Sequence, residues 1–166
     1  MEIATFLLAE NDWVPNNARL PVILYRGVEN GPCETIAKAF EDRFALNGWP
    51  PKWRDTIFGY HHYHSTSHEA LGVAAGNATL ELGGPGGRTV EVTAGDVLLL
   101  PVGTGHRRIS QSKDFLVVGA YPDGEDWDIC RSAPDNAARR RIATLKVPER
   151  DPIGGGEGPM TTAWPC

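Results

Sequence analysis

The chain has 166 residues, enough for one domain with a buried core and too few for two comfortable ones. Its apolar fraction of 41% and charged fraction of 22% are ordinary for a globular protein. A formal net charge of -5 argues against a nucleic-acid surface, which needs an excess of basic groups to displace counterions.

The N-terminus reads MEIATFLLAEND. An acidic residue at position 2 and a short apolar run fit neither a signal peptide nor a membrane span. Ile3 to Leu8 is a strand candidate, VPNNARLP a turn, and Val22 to Tyr25 a second strand. GPCETIAKAFEDRFALNGWPP reads as a helix, with Ile36, Ala39, Phe40, Phe44 and Leu46 near helical spacing. Asn47-Gly48 and then Pro50-Pro51 end it.

From about residue 57 to 122 the pattern changes. ALGVAA, ATLEL, RTVEVT, VLLLP and FLVVGAY are short strands divided by GN, GGPGG, AGD, VGTG and SQSKD, the rhythm of an all-β sandwich or barrel. GGPGGRT is a glycine-rich hairpin and not a phosphate loop, because Arg88 stands where lysine is needed and a strand follows. A helix is expected over about Asp135 to Leu145, with Arg139-Arg140-Arg141 as a solvated face. The tail PERDPIGGGEGP is expected to lie over the surface and to be partly mobile. The expected organisation is a single domain, with N-terminal strands and helix over 1–56, a β-barrel core over 57–122, and a helix and tail over 123–166. Cys33, Cys130 and Cys166 are odd in number and far apart, which fits reduced thiols of a cytoplasmic protein.

Chemistry concentrates in YHHYHSTSHE, where four of the five histidines fall within ten residues. On a strand from Gly59 to His64, Tyr60, His62 and His64 share one side, while His61 and Tyr63 face the other. Ser65, Thr66 and Ser67 favour a turn, so His64 and His68 do not form a helical zinc pair. A return strand from Glu69 carries its carboxylate back beside His62 and His64, and His106 arrives from another strand after the turn Val102 to Gly105. Three imidazoles and one carboxylate suit Fe(II), Mn(II), Ni(II), Co(II) or Zn(II), with positions left open. HxH alone is unspecific, and a histidine-rich loop without a ligand is its plain alternative.

Two spacings raise the signal. His62 to Gly76 reads H-x-H-x4-E-x6-G, and Gly95 to His106 reads G-x5-P-x-G-x2-H. Together they resemble the two motifs of the cupin superfamily. Gly59 sits closer to His62 than that pattern has it, and Ser110 stands where an asparagine is often found. The stretches WVPNN, NGWPP, PVGTGH and DFLVVGAYP extend the resemblance to the small bacterial YjlB-like cupins over most of the chain. The resemblance implies an all-β double-stranded β-helix, a small jelly roll with two peripheral α-helices. It also implies a metal held inside by His62, His64, Glu69 and His106.

The sequence leaves His68 three roles: it could replace Glu69 as ligand, support the site from outside, or serve as an acid or base. Tyr60 is a candidate to donate a hydrogen bond at the site, and Arg54, Arg107 or Arg108 to hold a substrate carboxylate. Trp13, Trp49, Trp53 and Trp127 are expected to pack the ends of the barrel. The functions implied are a metal-dependent enzyme on a small organic acid or sugar-like molecule (oxygenase, decarboxylase or isomerase), or a non-catalytic cupin that binds a small ligand or metal. A structural module whose metal only stabilises the barrel is a third reading. A homodimer formed through the edge strand Ile3 to Leu8 is expected, with no nucleic-acid or membrane partner.

Overall fold

A computed structural model describes residues 1–166. In chain order the elements are β1 (Glu2–Phe6), β2 (Val22–Arg26), α1 (Cys33–Leu46), β3 (Pro51–Asp55), β4 (Glu69–Ala75), β5 (Asn77–Leu82) and β6 (Arg88–Thr93). They continue with β7 (Val97–Leu100), β8 (His106–Gln111), β9 (Leu116–Ala120), α2 (Asn136–Thr144) and α3 (Pro159–Ala163). Two antiparallel sheets, ordered β1-β2-β7-β4-β9-β3 and β6-β5-β8, form a jelly-roll β-sandwich. No helix is long and apolar enough to cross a membrane.

The inner strands of the larger sheet are buried on both faces, which is why they read as unbroken apolar runs such as VILY and VLLL. Val22, Leu24, Leu71, Val73, Leu98 and Leu100 point inward and meet Leu80, Leu82, Val90 and Val92 of the smaller sheet. Alternate residues, among them Ile23, Tyr25, Ala70, Val97, Leu99 and Val118, point outward beneath Ile36, Phe40 and Phe44 of α1. The helix can lie this close because Gly72 has no side chain: a Cβ there would stand 2.7 Å from the Phe40 ring.

Two expectations change, and one strand is unanticipated. The chain from Gly59 to His64 is not a strand; it is irregular, with isolated bridges pairing His62 with His106 and Tyr63 with Cys130. PKWRD, which shows no apolar alternation, is an edge strand because it pairs with β9. The C-terminal tail is not a mobile surface segment. Ile153, Met160 and Trp164 belong to the main core, α3 lies within the tail as a third helix, and the Asp151 side chain is fully buried. The Trp164 indole donates to the Pro21 carbonyl at 2.8 Å, which fastens the tail against the start of β2.

Candidate metal centre

The bridges on both sides of residues 62 and 63 preserve period-two alternation where no regular strand exists. His62 and His64 therefore point inward, and the pairing of His62 with His106 across one bridge sets those rings 4.0 Å apart. His62, His64 and His106 are buried, and each offers a ring nitrogen within 4.8 Å of the others. Such a group can hold a metal ion.

The orientation of the three rings is decided from behind. His62 Nδ1 bonds the Tyr60 carbonyl at 3.1 Å, His106 Nδ1 bonds the Thr104 carbonyl at 3.0 Å, and His64 Nδ1 bonds the Asp128 carbonyl. A carbonyl oxygen can only accept, so each Nδ1 carries the proton and each Nε2 presents a lone pair inward. Glu69, the first residue of β4, brings Oε2 to 3.0 Å from His64 Nε2 and 3.2 Å from His106 Nε2. A carboxylate oxygen facing two imidazole lone pairs at these distances is repulsive unless a proton or a metal ion lies between them. The donor set therefore fits a divalent cation.

The electrostatics agree with a site that attracts positive charge. Burial, reinforced by His106, pushes His62 down to about 3, so it stays neutral. Burial also works against charge on Glu69, yet His64 and His106 hold its carboxyl well below the usual range. Burial opposes charge on His64 in turn, and the Glu69 carboxylate overcomes this and holds it above the ordinary value. The Glu69 carboxylate is anchored as well: Tyr121 donates to Oε1 at 2.9 Å, and the Trp53 indole donates to the Tyr121 hydroxyl at 3.0 Å. Trp53 can lie there because its cross-strand partner is Gly119, where a Cβ would stand 2.1 Å from the indole.

A cavity of about 210 Å³ opens onto the centre, lined in part by Trp53, Ile57, Phe58, Leu71, Tyr121, Trp127 and Ile129. Trp53 and Trp127 are thus cavity walls and not packing at the barrel ends, while Trp49 is core. Tyr60 does not line the cavity. Its ring stacks on Phe58 and lies under the Arg131 guanidinium, and it serves the centre only through its carbonyl. His68 faces away from the centre. Its Nδ1 accepts from Val102 N at 3.0 Å, its Nε2 bonds the Lys146 carbonyl at 3.1 Å, and its ring packs on Trp164. With both nitrogens engaged it has no lone pair for an ion. His61 approaches Glu81 at 3.1 Å. None of the three candidate arginines reaches the cavity: Arg54 pairs with Glu34 and Glu41, Arg107 with Glu81, and Arg108 bonds Gln111 and Thr56.

Sequence reasoning did not single out Tyr121 or Asp128. Tyr121 had a signal, since Val117, Gly119 and Tyr121 continue the inward period of β9. Asp128 had none: its segment, 121–130, lacks any period and is fixed by tertiary bonds. The Asp128 carboxylate accepts from the Ser65 amide at 2.6 Å and from the Ser65 hydroxyl, and Thr66 Oγ1 donates to the Asp126 carbonyl. Glu125 accepts from Ser67 Oγ and from the His68 amide.

Burial pushes Glu125 up to about 7, against which those two hydrogen bonds act. Its proton is held more tightly in the folded chain than in the unfolded one, so stability falls as pH rises from about 4.5 to 7. Glu125→Gln keeps the acceptor oxygen and removes the charge. It is expected to gain about 1–2 kcal/mol at pH 8 after allowance for solvent screening, and nothing at pH 4.5. Thermal melts at the two pH values check this, and an equal shift at both would refute the assignment.

No family model matches the chain. It is 32% identical over 167 residues to the protein YjlB of Bacillus subtilis strain 168, an alignment covering 98% of this chain and 97% of that one. The chain belongs to the YjlB family. Among solved structures, procruciferin, an 11S globulin of Brassica napus, is 14% identical with a TM-score of 0.39. That match covers 70% of this chain and 24% of the globulin. The plu4264 protein of Photorhabdus luminescens is 18% identical with a TM-score of 0.36, over 72% of this chain and 89% of that one. The epimerase RmlC of Legionella pneumophila, in complex with dTDP-4-keto-L-rhamnose, is 14% identical with a TM-score of 0.38. It is covered completely, against 88% of this chain.

Proposed function

We propose that this YjlB-family protein is a metal-dependent cupin enzyme acting on a small organic molecule, of the oxygenase, decarboxylase or isomerase type. His62, His64 and His106 hold a divalent transition metal (Fe, Mn, Ni, Co or Zn) through Nε2, and Glu69 supplies the fourth ligand. The observation that carries the reading is the set of three Nδ1 bonds to backbone carbonyls, which leaves three lone pairs facing one point beside an open cavity. A closed structural site would have no use for a cavity at its open side. When bound, the ion would supply Lewis-acid polarisation of a ligand oxygen.

The chain's own residues supply the rest. Trp53 and Tyr121 hold the Glu69 carboxylate in place, and the apolar walls exclude bulk water and so strengthen every charge interaction inside. Burial, with the Glu69 charge, pushes the Tyr121 hydroxyl up, so it remains a donor at neutral pH. That same fact favours a second reading, a non-catalytic ligand-binding cupin: the one hydroxyl on the cavity wall from an aromatic side chain is already committed to Glu69.

The test has two arms. Elemental analysis is expected to find about one metal ion per chain in protein expressed in metal-replete medium, and none in the His62→Ala/His106→Ala double variant. Stoichiometric metal surviving the double substitution would sink the site assignment. Turnover of a panel of small molecules by Fe(II)- or Mn(II)-loaded protein then separates enzyme from binding module. Saturable binding without turnover for any metal selects the module.

A further inference from the structure

The cavity above the centre has a chemical character that narrows what enters it. The side chains lining it away from the centre are almost all apolar: Trp53, Ile57, Phe58, Leu71, Trp127 and Ile129. Thr56 and the exposed Asp55 carboxylate add polar groups, while the Trp53 indole N–H and the Tyr121 hydroxyl are committed to each other and to Glu69. No lysine or arginine lines it. The arginines nearest in the fold have other partners, as described above, and two more are also occupied: Arg131 covers Tyr60, and Arg141 bonds Ser65 Oγ at 3.0 Å.

The walls are flat and fixed. Trp127 stacks on Tyr121 with ring centroids 4.2 Å apart and planes 3° from parallel, and the residue remains 37% exposed. Phe58 is held edge-on to His62 and stacked on Tyr60, and is 46% exposed. Trp127 does not belong to a free loop, because its neighbours Asp126 and Asp128 are bonded to Thr66, Ser65 and His64. Aromatic surface held open in this way costs little ordering when a flat molecule stacks on it. The cavity volume of about 210 Å³ suits roughly one substituted ring, since a cavity of about 150 Å³ takes benzene.

We propose that the ligand of this cavity is a neutral, flat, mostly apolar molecule, stacked on Trp127 and Phe58 with a single polar atom directed toward His62, His64 and His106. The inference rests on the metal-centre reading for the polar atom's partner and on the walls alone for the rest. A carboxylate would have the ion as its only cationic partner, and Glu69 already offsets part of that charge. Beyond the ion it would face mostly apolar side chains and the Asp55 carboxylate, an arrangement that burial with few hydrogen bonds penalises. Small organic acids, the substrate class that arginine anchors would have served, are therefore disfavoured.

The experiment compares benzamide with benzoate, which differ in charge but hardly in shape, and with cyclohexanecarboxamide, which is neutral but not flat. Binding to zinc-loaded and metal-free protein is followed by tryptophan fluorescence and calorimetry, with metal content measured on every sample. Benzamide is expected to bind zinc-loaded protein at least about 10-fold more tightly than either comparison ligand. Trp127→Ala is expected to lose that preference for flatness while keeping its metal, and Trp127→Phe to restore most of it. Benzoate binding as well as benzamide, or no binding of any of the three at about 10 mM, where even a free energy of only about -3 kcal/mol would register, overturns the proposal. Failure of the protein to take up zinc overturns the metal reading instead, and the benzamide-to-benzoate ratio in metal-free protein still decides the character of the walls.

Discussion

Asp151→Ala is expected to lower the unfolding free energy by about 3–5 kcal/mol. The carboxylate is completely buried and accepts from four donors. Tyr25 OH and Met160 N reach Oδ2 at 2.5 and 2.8 Å, while Ile153 N and Gly154 N reach Oδ1 at 2.7 and 2.8 Å. The Asp151 backbone also closes a two-way bridge with Gly155. One side chain thus ties β2 of the larger sheet to both the turn and the helix of the C-terminal tail. Removing it leaves the Tyr25 hydroxyl and the Ile153 and Met160 amides buried without partners, at about 1–3 kcal/mol each where no water can reach them, while the Gly154 amide can turn to solvent.

Asp151→Asn keeps one acceptor and turns the other toward the Met160 amide as a donor, so it is expected to fall between the alanine variant and the native protein. Tyr25→Phe removes one donor from a carboxylate that keeps three, and is expected to cost about 1–2 kcal/mol. Urea titrations give the free energies. Limited proteolysis supplies the structural readout: the alanine variant should be cut within 147–166 under conditions that leave the native chain whole. A loss under 1 kcal/mol with an uncut tail would show that the tail is held by Trp164 and Met160 alone.

The tail also marks where sequence reasoning stops. GGGEGP carries the composition of a loose segment, and nothing in its local order reveals that Asp151 organises it or that Gly158 stands where a Cβ would meet the Asp151 side chain at 2.3 Å. The constraint is tertiary. β3 escapes for a related reason: an edge strand with half its residues in solvent has no apolar alternation to read. The core strands are legible because burial on both faces writes itself as unbroken apolar runs. The histidines and Glu69 are legible because their directions depend on local alternation, which the bridges at His62 and Tyr63 enforce. His68 stands one position before Glu69, and the same alternation sends its ring to the opposite side, against Trp164. The Trp127 wall depends on bonds that Asp126 and Asp128 make some sixty residues away, and no spacing within its own segment encodes them.

That alternation leads to the sharpest test of the proposed ligand set. Glu69→Gln is expected to weaken zinc binding by at least about 100-fold, because it replaces the anionic ligand of the set with a neutral amide. The amide cannot take over silently. If its oxygen faces the ion, its NH2 group meets the Tyr121 hydroxyl. If it turns over, that NH2 group faces His64 and His106 Nε2 and satisfies their lone pairs itself. Tyr121→Phe leaves the carboxylate in place with one hydrogen bond fewer, and is expected to cost on the order of 10-fold. His68→Gln provides the contrast: its ring nitrogens serve Val102 and Lys146, so zinc affinity should stay within about 3-fold of native while stability falls by about 1–3 kcal/mol. Competition against a chromophoric chelator at pH 7.5 measures all three affinities. Glu69→Gln within 3-fold of native would remove Glu69 from the ligand set and leave the three histidines as the whole protein share of the centre. A hundredfold loss in His68→Gln would instead return His68 to the site from which its two backbone bonds now separate it.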